Sequence, residues 1–101
     1  MTGGLLTESG FDRLLRTLDD DRDRAAVAYE ELRYRLMGLL QWWGAPNSDQ
    51  LADVTFDRVA QKLHEGAVIP RAKLGAYTRA VARLIFCESA RRHRRLATRQ
   101  N

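Results

Sequence analysis

The chain has 101 residues, 45% of them hydrophobic and 30% charged, with a formal net charge of +4. That length suits one domain with a single modest core, and nothing in it approaches the roughly 20 consecutive apolar residues of a membrane span. One cysteine, Cys87, excludes an internal disulfide, and no Cys/His spacing points to zinc or another metal.

The charge is unevenly spread. Residues 1–50 carry 9 acidic and 6 basic side chains, and residues 51–101 carry 4 and 11. A basic second half suits a polyanionic partner, and a solvated helix end accounts equally well for an arginine run taken alone. The opening MTGGLLTESGFDRLL lacks a cationic stretch followed by an apolar run, so no secretion signal is expected and a cytoplasmic location is the default.

Four helical patterns follow in order. Phe11, Leu14, Leu15 and Leu18 share one side of a helix over about Ser9 to Leu18, with Thr7 or Ser9 as its cap. Asp19, Asp20, Asp21 and Asp23 then suit the start of the next helix, where the backbone dipole favours negative charge. That second helix runs from about Asp21 to Trp43 on the stripe Ala25, Tyr29, Leu32, Leu36, Leu39 or Leu40, and Trp43. Gly44 and Pro46 end it. Trp42 and Trp43 are expected in core and rim rather than as a ligand platform.

A third helix starts near Asn47 or Ser48 and buries Leu51, Val54 or Thr55, Phe56, Val59 and Leu63, with Gly66 as its stop. Pro70 suits the first turn of a fourth helix. There the apolar spine is Leu74, Tyr77, Val81, Leu84, Ile85 and Ala90, with Arg79 and Arg83 off it and the block Arg91 to Arg95 at its end. No strand alternation competes, so the expected fold is all-α, a compact bundle of three to four helices. Residues 1–24 read as an N-terminal helix and acidic linker, 25–96 as the helical domain, and 97–101 as a polar tail or linker.

Catalytic chemistry has no constellation to rest on. His64 and His93 fall on different elements, Cys87 has no histidine near it in sequence, and the aspartate cluster lacks the glycine and spacing of a calcium loop. Gly3–Gly4 and Gly75 do not form a phosphate-cradling loop. Neither enzymatic activity nor a cofactor is expected.

The third and fourth helices carry a more specific pattern. Gln50-Leu51-Ala52-Asp53-Val54-Thr55-Phe56-Asp57-Arg58-Val59 is followed, after a loop, by Leu74-Gly75-Ala76-Tyr77-Thr78-Arg79-Ala80-Val81-Ala82-Arg83-Leu84, then Glu88 and the pair Arg91–Arg92. With the earlier Tyr29-Glu30-Glu31-Leu32, this order resembles region 2 of the bacterial sigma-70 family, most closely its extracytoplasmic-function type. Family members show a helix of the form D-L-V-Q-E-x-F-x-R-V and then one like F-R-A-W-L-Y-R-I-A-R-N. The likeness spans about Ala25 to Arg95. Gln50 stands at the pattern's leading acid, Asp53 at its glutamine, Val54 at its following acid and Leu84 at its asparagine.

The resemblance implies a transcription-initiation module with two partners. Gln50, Asp53, Val54 and Arg58 would bind the clamp helices of the RNA polymerase β′ subunit, over Leu51 and Phe56 as core support. Tyr77, Arg79 and Arg83, with Arg71 and Lys73 approaching from the loop and Arg91 and Arg92 beyond, would bind promoter DNA at the −10 element as the non-template strand is exposed. An anti-sigma factor is a further partner the family implies. Tyr77 also lies on the apolar spine, so packing and base stacking both stay open for it. Family members of this type also carry a helix-turn-helix region 4, so this chain is expected to be either a fragment ending in the linker or a region-2 domain working alone. The alternative is a helical protein-interaction domain, an adaptor or sequestering partner, that keeps the bundle without sequence-specific DNA recognition. A plain helical dimerisation domain is the third reading.

Overall fold

The computed structural model describes residues 9–100, with side chains through Ala97. Thr7 and the rest of residues 1–8, together with Asn101, lie outside them. The described residues form four α-helices and no strand: α1 Gly10–Leu18, α2 Arg22–Trp42, α3 Ser48–His64 and α4 Leu74–Gln100, with a 3-10 turn Arg71–Lys73 leading into α4. The all-α bundle is what the periodicity predicts.

Helix ends follow from local chemistry. The Ser9 side chain accepts the Asp12 backbone N–H at 3.0 Å, and Asp21 caps α2 by accepting that of Arg24 at 2.9 Å. Asn47 occupies the cap position of α3 without a side-chain capping bond. Gly44 and Gly66 stop α2 and α3 at φ 98° and 106°, the left-handed region that favours glycine. At both stops the next residue bonds back into the helix, Ala45 N–H to the Leu40 carbonyl and Ala67 N–H to that of Lys62. Pro70 stands just before the 3-10 turn rather than inside α4.

The third helix is the hub. Its inner face, Leu51, Ala52, Thr55, Phe56, Val59 and Leu63, is buried, and α1, α2 and α4 all pack on it. Thr55 takes the inward position and its hydroxyl bonds the Leu51 carbonyl, so Val54 is left on the outside. An aromatic ladder ties three helices: Phe11 meets Tyr29 edge-on at 5.2 Å, and Tyr29 meets Phe56 at 5.0 Å. Burial pushes the Tyr29 phenol above its ordinary pKa, so it packs as a neutral ring. Thus α1, the N-terminal helix expected within residues 1–24, buries Leu14 and Leu15 and packs into the same core as residues 25–96.

Two expectations on α4 are corrected. Its buried face is Leu74, Thr78, Val81, Ala82 and Ile85, and Leu84 is 62% exposed. Leu84 lies about 100° around the helix from Ile85, which stands at the centre of that face, so it falls beyond the edge of the core. The segment 97–100 continues the helix instead of forming a tail.

Charges close the α1–α2 corner. Arg22 reaches Asp12 at 3.0 Å, and Arg24 reaches Asp19 at 3.4 Å. Hydrogen bonding from Ser9 and then from Arg22 holds the Asp12 carboxyl below its ordinary pKa, and the Asp21 backbone N–H does the same for Asp19. Depressed carboxyls stabilise the fold above the unfolded carboxylate range, and this contribution is lost as pH falls through the folded values. Below about pH 4, Cα chemical shifts of Gly10–Leu18 are expected to move toward coil before those of α3; simultaneous loss of both helices would contradict this. At the α1–α3 crossing, a Cβ on Gly10 would run into the Ala60 backbone carbonyl. Gly10→Ala should therefore cost about 1–3 kcal/mol in denaturant unfolding, and an unchanged midpoint would show that the helices part freely.

Candidate nucleic-acid and partner interfaces

The residues singled out on α3 form one outward ridge. Gln50, Asp53, Val54 and Arg58 follow helical spacing and all are exposed, Val54 at 43%. The ridge is fixed at two points by neighbouring helices. Arg33 of α2 donates to Asp53 from Nη2 at 2.8 Å and from Nε at 3.2 Å, and Glu88 of α4 lies 3.7 Å from Arg58. The first contact also holds the Arg33 guanidinium above its ordinary pKa. Arg33 falls off the apolar stripe of α2, which was the available sign that it works sideways.

The basic residues do not share one face. Arg79 and Arg83 lie on one flank of α4. Arg83 stacks over the Trp43 ring at 5.0 Å and over Phe86 at 5.8 Å, a cation on two aromatic faces. Phe86 and Trp43 meet each other at 5.7 Å. Tyr77 stands roughly 120–160° around the helix from these arginines. It is half-buried against the core and lines the groove between α3 and α4 with Arg58, Lys62 and Leu84. It also borders a shallow hollow under the loop, with Val68, Ile69, Pro70 and Lys73. Tyr77 on the apolar spine with Arg79 and Arg83 off it is the placement that helix spacing predicts, so a ligand using all three would meet two flanks of α4.

Arg71 is held within the fold. Its Nε donates to the Thr17 carbonyl at 2.7 Å, and its Nη2 reaches the Arg16 carbonyl at 3.1 Å and Asp20 at 3.0 Å. The guanidinium thus serves the open carbonyl end of α1 and locks the loop before α4 to the first helix. By contrast Lys73, Arg79, Arg91 and Arg92 are exposed and have no ion-pair partner among the described residues. Arg91 and Arg92 stand near the end of α4, in the stretch 91–97, where every residue is classed as exposed.

Among the described residues no group of His, Cys, Asp and Glu is placed to hold a metal ion, and no helix is long and apolar enough to cross a membrane. The stack of Arg83 on Trp43 and Phe86 is a neighbourhood the sequence did not reveal; Phe86, three residues after Arg83, was its one local signal. Arg71→Ala is expected to lower stability by about 1 kcal/mol, read as a fall in the thermal midpoint. An unchanged midpoint would leave Arg71 free for a ligand. No family model matches the sequence, and comparison with curated proteins and with solved structures gives no match.

Proposed function

We propose that this chain is a transcription-initiation module of the sigma region 2 type. In this reading the outer ridge of α3 docks on the clamp helices of the polymerase β′ subunit, and α4 with the loop before it holds the non-template strand of the −10 element. The module would act in the cytoplasm beside polymerase. The observation that carries the reading is that Gln50, Asp53, Val54 and Arg58 all lie on the exposed side of α3, opposite the face packed against α1, α2 and α4. That ridge coincides with the segment whose residue order resembles the family.

The chemistry of α4 supports the second half. Exposed strand phosphates reward unpaired cations by counterion release, and Lys73 and Arg79 are such cations. Unstacked bases gain about 1–3 kcal/mol each on an aromatic face, and Tyr77 lies beside an apolar hollow with Lys73 at its edge. A strand crossing the start of α4 meets Lys73 and Tyr77 on one flank and Arg79 with the Arg83–Trp43 stack on the other.

Two measurements test the two halves. Binding of a β′ clamp-helix peptide should fall at least about tenfold with Val54→Asp or Asp53→Arg, and an unaltered affinity would remove the ridge from the interface. For single-stranded −10-like DNA, Lys73→Gln with Arg79→Gln should reduce the slope of log affinity against log salt by about 1.4. An unchanged slope rejects the DNA face. Clamp-peptide binding without any DNA affinity would favour the interaction-domain alternative.

A further inference from the structure

Arginines that neighbouring elements hold in place differ in what is left of their donors. Arg33 gives two to Asp53, and Arg71 gives its own to the Thr17 and Arg16 carbonyls and to Asp20. Arg83 is held by rings instead, its guanidinium carbon 5.0 Å from the centroid of Trp43 and 5.8 Å from that of Phe86. The pull of a ring face on a cation is electrostatic and leaves the in-plane N–H groups free for an acceptor. Arg83 is exposed and makes no hydrogen bond or ion pair with another described residue. It is thus placed, with its donors unspent.

The fold, not the arginine, sets the rings. Trp43 caps the C-terminus of α2, with its backbone N–H on the Leu39 carbonyl at 2.9 Å. Phe86 follows Arg83 by three residues on α4, and both rings are half-buried against the core. They meet at 5.7 Å with a tilt of 46°, a single platform where α2 and α4 touch. Arg79 stands four residues before Arg83, about 6 Å along the axis, exposed and without an ion pair among the described residues. Like charges at this spacing repel each other and weaken a helix, and a bound anion relieves that repulsion.

We infer that Arg83 is a preorganised phosphate subsite, which takes one backbone phosphate of a single strand through two parallel N–H donors, and that Trp43 and Phe86 are its positioning residues. The planar guanidinium matches two phosphate oxygens at once, which an ammonium does not. Because the rings fix the side chain beforehand, binding is spared the cost of ordering it. Arg79, with no ring beneath it, contributes charge without geometry. The inference rests on the DNA half of the proposed function for the source of the phosphate.

The test follows the arginine Nε–Hε signals of the full isotopically labelled chain during titration with a short oligothymidylate and, separately, with inorganic phosphate at matched ionic strength. The Arg83 signal should move with oligothymidylate while those of Arg33 and Arg71 stay. An Arg83 signal unmoved by excess oligothymidylate overturns the subsite, and equal saturation by inorganic phosphate at the same phosphate concentration overturns a strand as its ligand. Arg83→Lys keeps the charge, and should weaken oligothymidylate binding about two- to tenfold with the salt slope unchanged; Arg79→Lys should alter neither. Trp43→Leu should weaken binding by a similar factor, Trp43→Phe should not, and Trp43→Leu should add nothing in an Arg83→Gln chain. A ring with only a structural role would instead lower the thermal midpoint and weaken binding in both backgrounds. Wild-type affinity in Arg83→Lys, or a Trp43→Leu loss that persists with Arg83→Gln, overturns the inference. The salt slope carried by Lys73 and Arg79 still decides the DNA face, so the two can fail separately.

Discussion

Burial of α3 from three sides is the constraint on which the rest of the molecule depends. Leu51, Ala52, Phe56, Val59 and Leu63 turn inward, and α1, α2 and α4 close over them. The outer side of α3 is left to solvent, Gln50, Asp53, Val54 and Arg58 together with Asp49, Asp57, Gln61 and Lys62, the remainder after the core has taken the others. This is why Thr55, a residue with a hydroxyl, is fully buried while Val54 beside it faces out. The Thr55 hydroxyl is satisfied by the Leu51 carbonyl, which removes the penalty of burying it. Thr78, fully buried on α4, has no such partner among the described residues and is a point of residual cost in the same core.

The ion pairs show how neighbouring helices hold this surface without covering it. Arg33 comes from α2 and Glu88 from α4, and each meets a charge of the α3 ridge from one side. Exposed pairs of this kind contribute little stability. Their consequence is positional: Asp53 and Arg58 are presented in defined places, so a partner meets less disorder in the side chains it must fix. On α4 the aromatic pair Trp43 and Phe86 does the same for Arg83, whereas Arg79 and Lys73 are left to solvent. Arg71, committed to the carbonyl end of α1, fixes the loop from which Lys73 projects.

Much of this was legible from residue spacing, because helix periodicity, capping residues and glycine stops are local signals. Ser9, Asp21, Gly44 and Gly66 act where their chemistry predicts. Side-chain partnerships between helices were not legible. Arg71 and the Arg16–Thr17 carbonyls are more than fifty residues apart, and only the packing of α1 on α3 brings them together. The same holds for Arg33 with Asp53. The two-flank division of Tyr77 from Arg79 and Arg83 was legible in their spacing, which sets the tyrosine on the apolar spine and the arginines off it. The place of Leu84 was not, an apolar residue expected inward by type although its register turns it to solvent.

Among the described residues the outer side of α3 and the cationic length of α4 are the two exposed surfaces on which the proposed function rests. The reading of the first as a polymerase contact is the central proposal. Its most direct measurement is chemical-shift mapping of the isotopically labelled chain titrated with a β′ clamp-helix coiled coil. The account predicts shifts centred on Gln50, Asp53, Val54 and Arg58, spreading to Arg33 and Glu88 through their ion pairs and leaving Tyr34 and Trp42 unmoved. Shifts confined to α2, or none at saturating peptide, would contradict it.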